Sequence, residues 1–548
     1  MVQSIEIRRF RRPPTYGRRL TVVSFVKLKA HPSVTCALLA CLLFSACGTL
    51  PAVPDRAPSR AQRAPADAPL VRVADNSTHD PAMTGFRLMP LGFSSLDARV
   101  ELIRRAAHSL DVQYYLVQND RTGRLLMRNL RDAALRGVRV RLLVDDLNTI
   151  DGDPMFRGLA AFPNVEVRLF NPFCCARRTP TSKFLASLGD FHRLNHRMHN
   201  KLFIADGAVA VMGGRNIADE YFTRNPTSNF VDMDVLLVGA VVARLASIFD
   251  VYWNSPQAYP VETIVSEADD RDTLRRTFDH LVDDGEQMRS IPVPPRDMLG
   301  QSPIGMEFDS GRLSLVWGTA VAFADPPAKV MATSDEMARA MSVQMSVMDR
   351  VMTSKRDVFI SSPYFVPGQG GVQAFSELMK RNVKVAILTN SLAANDVPVV
   401  HTGYARYRVA LLHTGVDLYE LSPTRMPHGD EPIVPAMSLG RLHAKAAVID
   451  RSTVYIGSMN LDPRSDSTNT ELGILAECPE LAQQVVDVID MSRRQSAYKL
   501  RFGPDGETLE WLAMGTNGEV VFREEPEATP FLLFRTRFFA PFVPEQLL

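Results

Sequence analysis

Apolar positions along the chain fall into two series of helical and strand patterns. In the first series, apolar residues recur at helical spacing over 95–109 and 123–137, and β-forming runs occupy 110–117, 138–144 and 165–170. Helices and strands that alternate in this order are typical of an α/β layer architecture with a mixed sheet.

The second series repeats the order of the first. Its elements lie at 357–362, 372–381, 383–388 and 416–421. Asp357 follows Asp111 by 246 positions and Val385 follows Val140 by 245, so the repeat extends over much of each half. We therefore predict the α/β class, with two duplicated domains of mixed sheet related by a pseudo-twofold axis.

Each series ends in a polar motif of the same spacing, His-x-Lys-x4-Asp, with an asparagine 17 positions after the histidine. The two copies are His199, Lys201, Asp206 and Asn216, and His443, Lys445, Asp450 and Asn460. The chain has only ten lysines, so two matches by chance are far rarer than one.

The motif spacing brings two complementary groups together. Residues i and i+2 of a β-strand face the same way, so His199 and Lys201 project together while Leu202 and Ile204 cover the other side. Imidazole is a nucleophile and proton carrier near neutral pH, and an ammonium group binds an anionic oxygen. Two such pairs facing one phosphorus supply the nucleophile and the proton donor that cleavage of a phosphodiester needs. We therefore predict one active site between the two halves.

In these motifs the chain resembles the phospholipase D superfamily, whose signature is a paired His-x-Lys-x4-Asp. The resemblance implies that one histidine forms a covalent phosphohistidine, that the other protonates the leaving alcohol, and that no metal or cofactor takes part. It assigns His199 as the nucleophile and His443 as the general acid. The residues that it implies for holding phosphate oxygens are Lys201, Asn216, Lys445, Ser458 and Asn460.

The same resemblance implies an acidic residue that orients each imidazole. Glu471 is the candidate in the second half and Asp232 in the first, where Asp234 stays open because Asp232 lies further from its histidine. The motif residues Asp206 and Asp450 end their strands at turns, where aspartate is favoured, so we expect them to be structural.

A metal centre is the alternative interpretation of the first motif. His192, His196 and His199 would share one face of a helix, as metal ligands can. The second motif has no counterparts of His192 and His196, and the apolar pattern favours a strand, so we predict no metal site.

Three further stretches are similar to bacterial cardiolipin synthases and related phospholipase D-like lipoproteins, namely 113–115, 136–146 and 401–408. This resemblance spans about 85–548. Within it, His401 and Tyr404 either shape the substrate pocket or take part in ordinary surface or helix packing.

The narrower resemblance implies a phosphatidyltransferase of the cardiolipin synthase type. Its substrates would be phospholipids such as phosphatidylglycerol or phosphatidylethanolamine at a bacterial membrane surface. Three alternatives stay open: a hydrolase that releases phosphatidic acid, a nuclease or other phosphodiesterase of the same superfamily, and a lipid-binding lipoprotein without activity.

Charge bears on the nucleic-acid alternative. The whole chain carries a net charge of +1, but residues 1–31 hold +7 and 32–46 hold no charge, which leaves about −6 for the remainder. Affinity for nucleic acid comes mostly from neutralising backbone phosphates, so an acidic body is a poor general binder of nucleic acid.

The N-terminus predicts export. Residues 34–46 form an uncharged apolar run, too short to span a bilayer and of the length of a signal-peptide core. The run ends at Cys47 in a stretch that resembles a bacterial lipobox, which implies lipidation of Cys47 and an anchor in the bacterial envelope facing the periplasm, in the outer membrane rather than the inner. A plain signal peptide and an uncleaved short anchor remain as alternatives.

These features predict the following organisation: a signal peptide at 1–46, a disordered tether at 47–84, phospholipase D domains at 85–262 and 329–548, and a connecting region at 263–328. The phenylalanine-rich end, 530–543, either lies in a membrane interface or packs on the core. Three cysteines remain outside the predicted signal peptide and lipidation site, namely Cys174, Cys175 and Cys478. Adjacent cysteines rarely pair with each other and an odd number cannot be fully bridged, so we expect no disulfide framework.

Overall fold

The computed structural model describes residues 50–53, 55–174, 177, 179–185, 188–266, 269–283, 294–425, 438–515 and 518–545. The predicted signal peptide, Cys47 and Cys175 lie outside these residues. Residues 48–548 form one compact unit.

The described residues form twenty strands: β1 Thr84–Met89, β2 Ser109–Tyr114, β3 Arg139–Asp145, β4 Val165–Phe170, β5 Leu202–Ala205, β6 Val209–Gly213, β7 Ser228–Val231, β8 Asp234–Gly239, β9 Ala258–Pro260, β10 Val316–Ala324, β11 Asp357–Ser361, β12 Lys384–Asn390, β13 Asp417–Leu421, β14 Leu439–Leu442, β15 Ala446–Ile449, β16 Thr453–Gly457, β17 Leu472–Glu477, β18 Ala497–Phe502, β19 Leu509–Gly515 and β20 Gly518–Phe522.

The α-helices of the described residues are α1 Pro69–Ser77, α2 Gly92–Arg105, α3 Arg121–Leu135, α4 Asp153–Leu159, α5 Pro180–Leu185, α6 Phe191–Asn195, α7 Ala240–Trp253, α8 Val261–Ile264, α9 Arg271–Val282, α10 Ile304–Asp309, α11 Asp335–Arg339, α12 Val343–Met352, α13 Gly368–Lys380, α14 Pro398–Ala405, α15 Arg408–Thr414, α16 Pro463–Ser467, α17 Pro479–Met491 and α18 Pro530–Phe539.

Eighteen of the described strands join in one mixed sheet. Hydrogen-bonded neighbours follow the order β9-β4-β3-β2-β5-β6-β8-β1-β10-β17-β16-β15-β11-β12-β13-β18-β19-β20. Strands β2, β3 and β4 are parallel, as are β11, β12 and β13, and the remaining neighbours are antiparallel. The order reads the same from either side of the β1–β10 contact, apart from the extra strands β19 and β20. This arrangement confirms the predicted α/β class and the duplication.

The predicted elements of both halves are confirmed, with ends shifted by a few residues. The helical pattern at 95–109 corresponds to α2, and the pattern at 372–381 corresponds to α13. The motif itself is the exception, because β5 begins at Leu202 and His199 and Lys201 lie in the extended segment just before it. Leu202 and Ile204 point into the apolar cluster between the halves, as expected.

The region predicted only as a connection contains the strand that joins the two halves. Strand β10 pairs with β1 on one side and with β17 on the other, as β1 pairs with β8. It is therefore the counterpart of β1 in the second half. The sequence analysis missed β10 because its residues do not alternate between apolar and polar. In the structure, buried and exposed positions do not alternate along the strand either.

The prediction of a disordered tether over 47–84 is wrong for its described part. The Arg56 guanidinium donates to the carbonyl of Ala258 at 2.6 Å, and the backbone amide of Ala61 donates to the Asp250 carboxylate at 2.8 Å. Helix α1 then buries Leu70 and other apolar side chains. The Pro- and Ala-rich composition suggested little to bury, but this segment gains its contacts from the surface of α7, which local composition does not reveal.

The phenylalanine-rich end forms helix α18, and the helix has no buried residue. The helix packs against α14 on the outside of the body, as one alternative predicted, and it leaves its phenylalanine rings exposed, so placement in a membrane interface stays a prediction. Within the part of the chain that the structure describes, every helix is too short or too polar to cross a bilayer.

Gly318 tests the packing of β10 against β17 within the second half. A Cβ atom on Gly318 of β10 would lie 2.2 Å from the carbonyl oxygen of Glu477, so backbone must move to admit it. We expect Gly318→Ala to lower the free energy of unfolding by roughly 1–3 kcal/mol in a urea titration. The control is Gly370→Ala in α13, where a Cβ meets no atom within 4 Å. Equal stability of the two variants would contradict the assigned pairing of β10.

Candidate active site

Two backbone contacts between the halves bring the motifs together. Strand β7 runs parallel to β14, and the amide of His443 donates to the carbonyl of Val231 at 2.8 Å. In the other direction, Met198 pairs with Thr470, and the amide of His199 donates to the carbonyl of Thr470 at 2.9 Å. Each histidine therefore lies beside the segment that carries the acidic residue of the opposite half.

His199 is oriented by Glu471. Its Nδ1 lies 3.0 Å from Glu471 Oε2, and both side chains are buried. The Ser465 hydroxyl donates to Glu471 Oε1 at 2.9 Å, and Ser458 donates to Oε2. The backbone amide of Glu471 donates to Asp325 at 3.0 Å, so the end of β10 also holds this residue.

His443 is oriented by Asp232. Its Nδ1 lies 2.6 Å from Asp232 Oδ2, and the amide of Met233 donates to Oδ1 at 2.7 Å. A Cβ on Gly214 would lie 2.1 Å from Asp232 Oδ1, so glycine is needed there for the carboxylate to approach. The position equivalent to Gly214 in the second half holds Ser458, which hydrogen-bonds to Glu471.

The open choice between Asp232 and Asp234 is decided by the packing of α2. Asp234 Oδ2 accepts hydrogen bonds from Ser95 and from the Arg99 guanidinium, the latter at 3.0 Å. These groups are fully buried. Asp234 is thus part of a buried ion pair, and Asp232 is the residue that contacts an imidazole.

The carboxylates determine which imidazole nitrogen carries the proton. Burial by itself would raise the pKa of each carboxyl group, but the adjacent histidine and lysines outweigh it, lowering the pKa of Glu471 and bringing that of Asp232 to about 2. An ionised carboxylate only accepts hydrogen bonds, so Nδ1 of each ring must donate. Nε2 of each ring is then left with its lone pair for chemistry.

Burial lowers the pKa of both histidines. Removal from water lowers the pKa of His199 to about 4 and that of His443 to about 3. The lysine of the opposite motif adds to each decrease, Lys445 at His199 and Lys201 at His443, so the two motifs share one electrostatic environment. Both rings are neutral at pH 7 in this structure, and a phosphate anion between them would raise both pKa values by attraction.

The lysines supply the positive charge of the site. Lys201 Nζ donates to the carbonyl of His199 at 2.6 Å, and Lys445 Nζ donates to that of His443 at 2.5 Å. Burial lowers the pKa of Lys445 to about 8 and that of Lys201 well below its usual range. Buried cations that lack a direct carboxylate partner favour an anionic ligand.

The remaining residues predicted to hold phosphate differ in their contacts. Asn216 donates from Nδ2 to the Tyr221 hydroxyl at 2.9 Å, and its buried Oδ1 has no partner within the described residues. Asn460 Oδ1 is likewise buried without a partner among them. Ser458 uses its hydroxyl proton on Glu471, so in this structure it supports the carboxylate rather than pointing a donor at a ligand.

Aromatic rings that the sequence analysis did not assign line both histidines. Tyr115 packs its edge against His199 with ring centroids 5.1 Å apart, and its ring lies 5.3 Å from Lys201 Nζ. Tyr221 and Phe230 pack against His443 at 5.1 and 4.9 Å. Tyrosine and phenylalanine carry no spacing signal of their own, and only Tyr115, which follows β2 at residue 115, belongs to a stretch quoted for its resemblance.

A pair of side chains at equivalent positions holds the backbone before each histidine. Asp145 at the end of β3 accepts from the amide of Met198 at 2.8 Å, and Asn390 at the end of β12 accepts from the amide of Leu442 at 2.8 Å. Asn390 also donates to the carbonyl of Leu442 at 2.9 Å. These contacts fix the backbone of the residue before each histidine.

The motif aspartates close the turns behind the site. Asp206 accepts hydrogen bonds from the amides of residues 107–109, and Asp450 accepts from those of residues 355–357. Both adopt positive φ angles, 52° and 53°. Neither carboxylate contacts an imidazole, in agreement with a structural role.

The two groups that resemble metal ligands have other contacts. His196 Nδ1 lies 2.7 Å from the carbonyl of His192, whereas His199 is turned toward Glu471.

Elsewhere in the described residues, the ligand atoms of His401, Glu420 and Glu525 lie close enough to share an ion. The Arg408 guanidinium already lies within 3.0 Å of all three, so this cluster is a buried ion-pair network. Tyr404 is buried beside it, which favours packing over a pocket role for His401 and Tyr404.

The paired fold and the crossed histidine–carboxylate contacts define a phospholipase D-like protein. A family model described as "Cardiolipin synthase, PLD-like domain" matches residues 100–253 and 347–492, so the chain belongs to this family. It is 39% identical over 457 residues to "Cardiolipin synthase C" of Escherichia coli (strain K12), across 82% of this chain and 93% of the relative.

A more distant relative also matches this chain, and one solved structure shares its fold. The chain is 25% identical over 397 residues to "Cardiolipin synthase" of Staphylococcus aureus (strain N315), across 72% of this chain and 64% of the relative. Its fold is similar to the crystal structure of phosphatidylserine synthase from Haemophilus influenzae Rd KW20, with a TM-score of 0.53, 14% identity, and coverage of 87% of this chain and 100% of that chain.

The lowered histidine pKa values predict acid sensitivity. Histidines in the unfolded chain take up protons near pH 6.5, whereas the folded site stays neutral down to about pH 4, so the free energy of unfolding falls between these values. Between pH 7 and pH 4 the free energy of unfolding should fall for both proteins. For the double variant His199→Gln/His443→Gln this fall should be smaller than for the parent by roughly 2–5 kcal/mol. Urea titrations at each pH measure this. The exposed His108→Gln is the control; identical slopes for parent and double variant would refute the neutral-histidine assignment.

Proposed function

We propose that the protein is a phosphatidyltransferase that forms cardiolipin through a phosphohistidine intermediate. The observation that carries this proposal is the crossed arrangement: two imidazoles, each fixed by a carboxylate of the opposite half, with a buried lysine beside each. The relatives named cardiolipin synthase support the choice of lipid substrates.

The first step transfers the phosphatidyl group to the protein. Phosphate oxygens bind between Lys201 and Lys445, and Nε2 of His199 attacks phosphorus as the bond to the head-group oxygen breaks. His443, protonated under the influence of the bound anion, gives its Nε2 proton to the leaving alkoxide. Glu471 and Asp232 stabilise the positive charge that develops on the ring each one contacts.

The second step releases the lipid product. Neutral His443 takes a proton from the hydroxyl of the acceptor, whose oxygen attacks phosphorus and displaces His199. A phosphatidylglycerol acceptor gives cardiolipin, and water gives phosphatidic acid. The motif residues contact only the shared phosphate, so the acceptor is chosen elsewhere in the site, and hydrolysis remains the second candidate.

The location that fits this activity is the bacterial envelope. We propose that the protein is exported and lipidated at Cys47 and that the catalytic unit faces the periplasm at a membrane surface. The basic leader and the lipobox-like sequence support this proposal. A nuclease would use the same catalytic residues, but the acidic charge of the chain after residue 46 disfavours binding to a phosphate backbone.

Mutation of the histidines tests the two roles. With phospholipid labelled in its phosphatidyl part, the parent quenched in detergent at mildly alkaline pH, where a phosphorus–nitrogen bond survives, should carry covalent label, and His199→Ala should carry none. His443→Ala should reduce turnover by a factor of about 10² or more while lipid binding remains. The matched control is the exposed His192→Ala, which should retain parental turnover. Product formation by His443→Ala at the parental rate would overturn the assignment of the acid.

Substrate class and metal dependence are tested in the same preparation. We expect cardiolipin from labelled phosphatidylglycerol, no cleavage of plasmid DNA, and full activity in excess chelator, because every proposed catalytic group is an amino-acid side chain. Cleavage of plasmid without turnover of lipid would favour the nuclease. Loss of activity in chelator that returns with added zinc would favour a metallohydrolase.

A further inference from the structure

Helix α18 presents a continuous apolar surface to solvent. The exposed side chains, with exposed fractions of 71%, 66%, 54% and 71%, are Phe531, Phe534, Phe538 and Phe542. Single exposed apolar residues are common on proteins, but a contiguous set of large rings marks an interaction surface.

The rings form one face of the helix and of the short turn that follows it, because α18 ends at Phe539 and Phe542 lies in that turn. They follow one another at intervals of three or four residues, and the rings of Phe534 and Phe538 lie 6.0 Å apart, with Phe542 5.9 Å from Phe538. The half-buried positions, which lie toward the protein, are Leu532, Leu533, Thr536 and Ala540. The largest apolar side chains of the helix are therefore turned away from the core.

The surface is firmly attached to the body of the protein. Helix α18 packs against α14, and the Arg406 guanidinium donates to the carbonyl of Ala540 at 2.8 Å. The Tyr407 hydroxyl donates to the Glu545 carboxylate at 2.7 Å, and the Thr529 side chain caps the start of α18. A bound surface could therefore orient the whole catalytic unit.

We propose that this face of α18, the phenylalanine surface of Phe531, Phe534, Phe538 and Phe542, inserts into the interface of a bilayer that contains anionic lipid. The exposed Arg535 and Arg537 give residues 530–544 a charge of +2 with no acidic residue among them. Aromatic rings together with basic residues on a helix that lies in the membrane plane suit the head-group region, where cations meet lipid phosphates.

Charge also favours a bilayer over a second copy of the chain. Two phenylalanine surfaces packed face to face would bring two copies of Arg535 and Arg537 together without acidic partners in that segment. Anionic phospholipid supplies the missing negative charge.

Helix α14 connects this surface to a residue that acts on the active site. That helix starts at Pro398, and Asp396 just before it accepts a hydrogen bond from the Tyr364 hydroxyl at 2.8 Å. The charge of Asp396 also acts to raise the pKa of Lys445. Val397, which precedes α14, is an exposed apolar residue at 40%. This placement, which rests on the proposed function, would deliver lipid from the bilayer to the two histidines.

The depth of insertion can be measured on the full-length chain. Phe534→Trp is mixed with vesicles of phosphatidylcholine and phosphatidylglycerol, with and without brominated acyl chains that quench tryptophan on contact. We expect a blue shift and at least twofold quenching relative to the parent, whose three tryptophans give the background. The matched control is Leu135→Trp in α3, because Leu135 is 62% exposed and far along the chain from α18.

Each outcome of the quenching experiment decides the proposal. Quenching at position 534 and not at 135 supports it, and Phe538→Trp should behave in the same way. Equal quenching at 534 and 135, or none at 534 and 538, overturns it. A blue shift without vesicles, together with a doubled mass in solution, would assign the surface to a second copy and also overturn it.

Turnover separates this proposal from the proposed function. Phe531→Ser/Phe534→Ser/Phe538→Ser should lose about tenfold more rate on vesicles than on a short-chain, monomeric phospholipid. The control Leu135→Ser/Val251→Ser/Met306→Ser replaces residues of comparable exposure and should lose equally on both. Equal losses for the phenylalanine variant would overturn the docking role. An inactive parent that still shows quenching would instead remove the proposed function and leave the docking surface in place.

Discussion

The crossed contact between each histidine and the carboxylate of the opposite half is the constraint on which the structure depends. A carboxylate from its own half would leave each motif complete by itself, and the two halves would have no chemical reason to meet. Here the β7–β14 pairing and the contact of Met198 with Thr470 bring backbone of one half into the other. The imidazoles are therefore positioned only when both halves are folded and docked.

Burial gives this arrangement its chemical character. Two lysines, two histidines and two carboxylates are removed from water together, which lowers the pKa of both imidazoles and of both lysines. The lysines have no carboxylate in direct contact, so a phosphodiester bound between them would favour their charged form and raise the pKa of both imidazoles. In the proposed phosphohistidine mechanism, His443 must carry a proton when the substrate is bound. The bound anion favours this state because it raises the pKa of His443.

The pseudo-twofold symmetry relates the strands of the two halves closely, but side chains at equivalent positions around the histidines differ. Asp145 and Asn390 perform the same task in the two halves with different side chains, and Gly214 faces Asp232 where Ser458 supports Glu471. The outer surface departs further, since the second half alone carries helix α18 with its exposed phenylalanine rings. A duplicated fold can thus give equivalent positioning of two rings while the outer surfaces of its halves differ.

The sequence by itself determined the α/β class, the duplication and the two motifs, because apolar periodicity and the spacing of histidine and lysine are local properties of the chain. It also indicated Glu471, but it left Asp232 and Asp234 open, since that choice depends on which carboxylate Arg99 of α2 removes from the site. Strand β10, the ordered segment before α1, the aromatic rings around the histidines and the exposure of α18 were decided by tertiary structure. Each depends on a surface supplied by a distant part of the chain, and no local pattern records that surface.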